Sequence, residues 1–356
     1  MLNGASYAAA VVLAAQSATA LSPSNFYDAI VNKAYMKTTA DYPSSVKVYN
    51  LSVPVDHFHD DPQYEPHSDA KFPVRYFLEA SYYKPGGPVI VIASGETSAE
   101  DRVPYLNNGI GSHLAKATGG MVVSLEHRYY GTTFPVPKLS LENYRFLTTE
   151  QAVADAAYFA KNVQFPGFED HNLTAPNTPW IIYGGSYAGA FAAFTRKLHP
   201  DAYWGAISSS GVTEAIYDYW EYNEAARLFA PGDCGPIMGK MTHVVDTALL
   251  SGNNSKVQTV KQLFGFSTSV SNPDFGDSIS HPADALQGES WAAGYCPDAA
   301  TRFLNYVGLQ RRESNERMKN GKCASASKAD CVAAHIQKRG AQLNDASSWP
   351  YQTCTQ

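Results

Sequence analysis

The residues with the clearest capacity for chemistry are a serine and its neighbours in Trp180-Ile-Ile-Tyr-Gly-Gly-Ser-Tyr-Ala-Gly189. An apolar run leads into two glycines and Ser186, and small residues follow, which predicts a strand, a tight turn and a helix over Tyr187–Leu198. A serine at such a turn has a strained backbone, and its hydroxyl stands above the sheet where it can attack a carbonyl. The alternative is a serine with only a structural role in the turn. The strand and helix patterns on either side favour Ser186 as a nucleophile.

A serine nucleophile of this kind needs two N–H donors for the negative charge that develops on the substrate oxygen. The backbone N–H of Tyr187, directly after the serine, is the first candidate. The second should come from the loop Ser94-Gly-Glu-Thr97, which follows an apolar run, with Glu96 or Thr97 as the donor. A plain loop between a strand and a helix explains the same spacing equally well. Glu96 is our choice for the second donor.

A general base and its acidic partner are harder to find. His127 lies in Glu126-His-Arg-Tyr-Tyr-Gly131, before the serine, whereas the order in this architecture is Ser, then Asp or Glu, then His. We therefore expect His127 to be structural or to line a pocket, and Arg128 to form a buried ion pair with Glu126. The residues after Ser186 that we considered and found no better are His199, His243, His281, His335, Asp201 and Asp218. No credible Asp–His pair emerges, so the triad Asp and His are predicted to be absent from this chain.

Cofactor and metal motifs are also missing from the sequence. The cysteines lack C-x₂-C spacing, there is no H-E-x-x-H, and no glycine-rich phosphate loop follows a strand, so we predict no cofactor and no metal. The run His57-Phe-His59 beside Asp56, Asp60 and Asp61 has metal-binding residue types, but we expect a solvated loop there.

A formal net charge of −6 argues against nucleic acid as a partner. After the first 20 residues no apolar run approaches the ~18 residues that span a membrane.

The elements that must position the serine alternate between buried strands and helices, which is typical of an α/β fold with a parallel sheet. Thr148, with Gln151 three residues on, predicts the start of a helix that runs to about Val163. After Gly211 the pattern becomes helical. The predicted strands are Val46–Val55, Phe72–Tyr83, Pro88–Ala93, Met121–Leu125, Trp180–Tyr183 and Tyr203–Ser209, and the predicted later helices are Thr213–Phe229, Pro236–Leu250, Ala299–Lys319 and Ser327–Leu343.

The sequence has several features of proteins that follow the secretory route. A short apolar stretch followed by Ala18-Thr-Ala20 predicts a signal peptide over residues 1–20, although an Ala-rich helix is the alternative. Sequons at Asn50, Asn172 and Asn253 and five cysteines fit a glycosylated, disulfide-bonded protein, and the odd cysteine count leaves one unpaired. We expect a protein that is secreted or that resides in the vacuolar or lysosomal lumen. A homodimer is compatible with the sequence.

Five segments together resemble the serine carboxypeptidase family of lysosomal Pro-X carboxypeptidase and dipeptidyl peptidase II. They are Val55-Asp-His-Phe58, Glu126-His-Arg-Tyr-Tyr-Gly131, Phe146-Leu-Thr-Thr-Glu-Gln-Ala-Val-Ala-Asp155, Gly184-Gly-Ser-Tyr-Ala-Gly189 and Tyr351-Gln-Thr-Cys354. The resemblance implies an α/β-hydrolase core over residues 21–211, an inserted helical cap domain over 212–345, and the start of a return to the core over 346–356. It implies a serine peptidase that cleaves peptides after proline or another small penultimate residue.

The sequence departs from the family in one respect. The family's Asp and His follow the return to the core, so the resemblance implies that this chain stops before them and lacks the last strands. We expect the strand near Ile207 to be an apolar edge, and the 356-residue chain alone to be insoluble or inactive on Pro-containing peptides. The other functions that remain open are an esterase or lipase on the same fold and a non-catalytic peptide-binding relative.

Overall fold

The computed structural model describes residues 43–216, 219–229, 234–264, 266–276 and 348–355. Its strands agree with the sequence pattern, except that the second ends at Glu79 rather than at Tyr83. Each continuous apolar run became a strand because both of its faces can be buried. The strands are β1 (Lys47–Pro54), β2 (Lys71–Glu79), β3 (Val89–Ala93), β4 (Met121–Leu125), β5 (Trp180–Gly185) and β6 (Gly205–Ser209).

The helices are placed by their caps as well as by their apolar faces. The side chain of Thr148 accepts a hydrogen bond from the backbone N–H of Gln151, as predicted. The helices are α1 (Val103–Asn107), α2 (Ile110–Thr118), α3 (Thr149–Asn162), α4 (Tyr187–Leu198), α5 (Glu221–Phe229), α6 (Cys234–Leu249), α7 (Asn254–Leu263) and α8 (Ser348–Thr355). No helix in the described part of the chain is long and apolar enough to cross a membrane.

The six strands form one mixed sheet in the order β1-β2-β4-β3-β5-β6. β2 runs antiparallel to both β1 and β4, whereas β4, β3, β5 and β6 are mutually parallel. The carboxyl ends of β3, β4 and β5 therefore meet at one edge, where loops can assemble a site. In the described part of the chain β6 pairs only with β5, and Ile207 is partly exposed on it.

Helices cover both faces of the sheet. On one face an aromatic cluster packs beneath α3, with Phe159 and Phe165 against Trp180 at ring-centroid distances of 5.9 and 6.1 Å. On the other face Leu106 and Ala115 from α1 and α2 pack against β3 and β4. All residues of β3 and β4 are buried. This two-sided burial holds the strand ends in fixed positions.

Helix α8 belongs to the same compact unit as the sheet. The ring of its Tyr351 stacks on Tyr144 with centroids 4.7 Å apart. Its Ser348 hydroxyl donates to the carbonyl of Tyr129, and the Tyr130 hydroxyl donates to Gln352 Oε1. The segment predicted to return to the core thus contacts residues more than 200 positions earlier in the chain.

Helices α5–α7 belong to a second compact unit, whose small core contains Val245, Val260 and Phe275. The prediction of a helix from Thr213 was wrong, because residues 213–216 are irregular and α5 begins at Glu221. Val212 and Ile216 are exposed, and a helix gains most of its stability by burying an apolar face. The predicted signal peptide, the helices predicted at Ala299–Lys319 and Ser327–Leu343, and the side chains of all five cysteines lie outside the described residues.

Two ion pairs anchor the loop after β4, one to helix α3 and one to strand β2, and they correct the predicted Glu126–Arg128 pair. Arg128 binds Asp155 on α3 through two hydrogen bonds of 2.6 Å and also donates to the carbonyl of Val55. Glu126 instead binds Arg75 on β2, at 2.6 Å from Nη2. Burial alone would raise the pKa of Asp155, but Arg128 and His57 together lower it, so its carboxylate stays charged.

Asp155→Asn should therefore destabilise the fold strongly, because it leaves the buried guanidinium of Arg128 without a counter-charge. We expect a loss of about 3–5 kcal/mol in the free energy of unfolding, measured by urea denaturation. Asp201→Asn is the matched control, since Asp201 pairs with Lys161 at 2.6 Å on the surface, and it should cost less than about 1 kcal/mol. Equal losses in the two variants would contradict this account.

Candidate active site

Ser186 is the last residue before α4, and its backbone angles are φ 59° and ψ −126°. Such angles are uncommon for a residue other than glycine and cost on the order of 1–3 kcal/mol. Hydrogen bonds hold them in place: the N–H of Ser186 donates to Ser209 on β6 at 3.0 Å, and the carbonyl of Ser186 accepts from Gly189 and Ala190. The side of the turn that carries Ser186 is exposed. The local geometry is that predicted for a serine at a strand-to-helix turn.

Small residues make this turn sterically possible. A Cβ on Gly184 would lie 1.8 Å from the carbonyl oxygen of Ala188, and a Cβ on Gly189 would lie 2.8 Å from that of Ser209. Ala188 occupies the last small position of the pattern, and its methyl lies against the loop of Gly95, where an added Cβ would approach it to 3.1 Å. The loop after β3 and the start of α4 are therefore in contact.

This contact brings together the two residues predicted to supply N–H groups for an oxyanion. Tyr187 is the first residue of α4, so its backbone N–H has no partner within the helix. Gly95, just before Glu96, has a positive φ of 69°. In the described part of the chain neither the N–H of Tyr187 nor that of Glu96 has a hydrogen-bond partner. Their role toward a substrate stays a prediction.

His127 is buried and binds the side chain of Tyr187. Its Nδ1 lies 2.7 Å from the carbonyl oxygen of Arg128, and its Nε2 lies 3.0 Å from the Tyr187 hydroxyl. Because a carbonyl only accepts, Nδ1 carries the proton and Nε2 accepts from Tyr187. Burial lowers the pKa of His127 to about 4, so the ring is neutral near pH 7. His127 also lines a small cavity, in keeping with the expectation that it is structural or lines a pocket.

The Tyr187 side chain is fixed at several points. Its hydroxyl also lies 3.3 Å from Thr149 Oγ1, and its ring packs 5.9 Å from that of Trp349 on α8. Burial raises the pKa of Tyr187 to about 12, so the hydroxyl keeps its proton for His127. No local pattern predicted the contact between Tyr187 and His127, because the two residues are 60 positions apart.

Of the other acid–base candidates, His243 is an exposed residue of α6 in the second compact unit. His199 is at the opposite end of α4, and Asp201 pairs with Lys161. Among the described histidines none forms a hydrogen bond with the Ser186 hydroxyl. Those candidates that fall outside the described part of the chain are Asp218, His281 and His335.

A cavity of about 20 Å³ lies at the carboxyl ends of β3 and β4, with room for about one water molecule. Ser94, His127, Asp155 and Phe191 are among its lining residues, and Ser186 is not. This cavity is too small to hold a peptide side chain.

Strand order, a strained serine before α4 and a close loop after β3 together define the α/β-hydrolase fold. Residues 54–234, just over half of the chain, match the family described as serine carboxypeptidase S28. The chain therefore belongs to the serine carboxypeptidase S28 family.

Individual relatives agree with this assignment. The chain is 44% identical over 297 residues to a probable extracellular serine carboxypeptidase of Arthroderma benhamiae. The aligned region covers 81% of this chain and 41% of the relative. The chain is 27% identical over 327 residues to prolyl carboxy peptidase like protein 5 of Caenorhabditis elegans, over 81% of this chain and 61% of that one. The chain thus spans less than two thirds of the length of either relative. An esterase from Pseudomonas putida superposes over 62% of this chain and 61% of its own, with 16% identity and a TM-score of 0.33, a similarity too low to support an argument.

The buried His127 should make the stability of the protein depend on pH. Its folded pKa of about 4 lies below the unfolded value of 6.5, so only the unfolded chain takes up a proton as the pH falls from about 6.5 to 4. We expect this residue alone to cost about 3 kcal/mol across that window. The measurement is the free energy of unfolding at several pH values, compared between wild type and His127→Gln.

Glutamine is the appropriate replacement because its amide can donate to the Arg128 carbonyl and accept from Tyr187 without titrating. The difference in stability between wild type and variant should shrink as the pH falls from 6.5 to 4 and stay constant above 7. A difference that does not change with pH would show that His127 is not held neutral by the fold.

Proposed function

We propose that the chain is part of a secreted serine exopeptidase that hydrolyses peptides through an acyl-enzyme on Ser186. The observation that carries the proposal is the strained, exposed turn at Ser186 with the unpartnered N–H of Tyr187 beside it. Membership of the S28 family supports a peptide as the substrate. A turn serine with only a structural role would not require the strained backbone.

In the proposed reaction, Ser186 Oγ attacks the carbonyl carbon of the scissile peptide bond while a general base removes its proton. The N–H groups of Tyr187 and Glu96 bind the oxygen that becomes negatively charged, and each contributes about 2.7–4 kcal/mol to the lowering of the barrier. The base returns the proton to the leaving amine, and a water molecule then hydrolyses the acyl-enzyme. The base and its carboxylate partner are not among the described residues that contact Ser186, so the proposal places them elsewhere in the protein.

We infer a preference for proline next to the scissile bond, of the Pro-X carboxypeptidase or dipeptidyl peptidase class. Support comes from the motifs shared with that family and from a relative named as prolyl carboxypeptidase-like. We further infer a secreted or vacuolar location with N-glycans. Asn50, Asn172 and Asn253 are all exposed, and a relative is named as extracellular.

The proposal predicts that a fluorophosphonate probe labels Ser186 in the protein purified from the cells that make it. After deglycosylation and trypsin digestion, mass spectrometry should find the phosphonyl group on the peptide 162–196, which contains Ser186. Ser186→Ala should abolish the labelling, because the only neighbouring hydroxyl in the turn, that of Tyr187, is hydrogen-bonded to His127. Ser208→Ala, on the neighbouring strand β6, is the control and should label normally.

Three results would contradict the proposal in different ways. Labelling that survives in Ser186→Ala would place the nucleophile elsewhere. Binding of Pro-containing peptides without any labelling would show a non-catalytic binding protein. Turnover of p-nitrophenyl esters without cleavage of Pro-containing peptides would show an esterase.

A further inference from the structure

We propose that the loop between β1 and β2 carries a site for a divalent transition-metal ion of the Zn²⁺ class, bound by Asp56, His59 and His67. One potential ligand atom from each of these residues lies within 4.8 Å of the other two. Two imidazole nitrogens and one carboxylate oxygen form a donor set that suits zinc rather than calcium or magnesium. The loop is partly solvated as expected, with Asp60, Pro62 and Gln63 exposed, whereas Asp56 is buried.

Asp56 is the fixed ligand of this site. Its carboxylate is fully buried, and its Oδ1 accepts hydrogen bonds from the N–H of Phe58 at 2.9 Å and from Gln151 Nε2 at 2.8 Å. Gln151 is itself buried in α3. These bonds orient Oδ2 toward His67, in the way that outer hydrogen bonds orient the ligands of known metal sites.

His67 is held in place by its neighbours in the loop. Its Nδ1 lies 2.8 Å from Asp56 Oδ2. The guanidinium of Arg145 donates to the carbonyls of Tyr64 and Pro66, immediately before His67. The N–H of Val55 bonds to the carbonyl of Ala70, which closes the ends of the loop.

His59 is the adjustable ligand. Its ring stacks on that of His67 with centroids 5.5 Å apart and an interplanar angle of 28°, and 47% of its side chain is exposed. Zinc binds nitrogen and oxygen at about 2.0–2.2 Å, so the three ligand atoms must move slightly closer together. The exposed ring of His59 can supply this movement, and its solvent side leaves a fourth position for water.

Charge also favours a cation here. Residues 56–70 contain five carboxylates and no Lys or Arg, although Arg145 contacts the loop from outside. In the metal-bound form His67 Nδ1 would face the ion instead of donating to Asp56 Oδ2, and the ring proton of His67 would then lie on Nε2. We assign the ion a structural role, because the neighbouring His57 connects the loop to Asp155 at 2.8 Å. The ion would thereby stabilise the loop that His57 joins to the Arg128–Asp155 pair.

The test is isothermal titration of the purified, tag-free protein with ZnCl₂. We expect one Zn²⁺ per chain, and His59→Ala and His67→Ala should each weaken binding by at least about 10-fold. His113→Ala is the matched control, since His113 is an exposed histidine on α2, and it should bind as wild type does. His59 is exposed, so its substitution should leave the fold intact, which circular dichroism can check.

A second readout is thermal stability, because a ligand that binds only the folded state raises the melting temperature. Zn²⁺ should raise it in wild type and in His113→Ala, and by clearly less in His59→Ala at the same Zn²⁺ concentration. Wild type that binds Zn²⁺ no more tightly than the double variant His59→Ala/His67→Ala would overturn the proposal, and Asp56–His67 would then be only a hydrogen-bonded pair. Tighter binding of Ca²⁺ than of Zn²⁺ would overturn it as well.

Discussion

The strained backbone of Ser186 is the constraint on which the rest of the structure depends. It exists only because glycines at 184 and 189 allow β5, β6 and α4 to approach one another to van der Waals contact. The energy stored in these angles must be supplied by the surrounding packing. The fully buried parallel strands and the helices on both faces of the sheet provide that packing. The stability of the fold and the exposed position of the Ser186 hydroxyl therefore depend on each other at this turn.

The short loop after β4 holds several elements around Ser186 in place. Glu126, His127 and Arg128 are consecutive, yet each binds a different element: Glu126 binds β2, His127 binds the first residue of α4, and Arg128 binds α3. Because all three side chains are buried, their bonds act in a low-dielectric environment where a missing partner is costly. These three residues thus fix the elements around Ser186. Neither His127 nor Arg128 contacts the Ser186 hydroxyl.

Local signals could be read from the sequence, whereas partners distant in sequence could not. The strands, the cap at Thr148 and the turn at Ser186 depend on neighbouring residues, and they agree with the pattern. The predicted partner of Arg128 was wrong because its true partner lies 27 positions away, and only packing decides between buried carboxylates. The same limit hid the contact between His67 and Asp56, since the sequence argument weighed only the histidines directly beside the carboxylates.

We propose that the backbone N–H groups of Tyr187 and Glu96 form the site that binds the developing oxyanion beside Ser186. The most direct measurement is a crystal structure of the protein after reaction with a phosphonylating agent. We predict that Ser186 keeps a positive φ near 59° and that one phosphonyl oxygen accepts hydrogen bonds from the backbone N–H groups of Tyr187 and Glu96. An ordinary negative φ at Ser186, or a phosphonyl oxygen that points away from both N–H groups, would contradict the account.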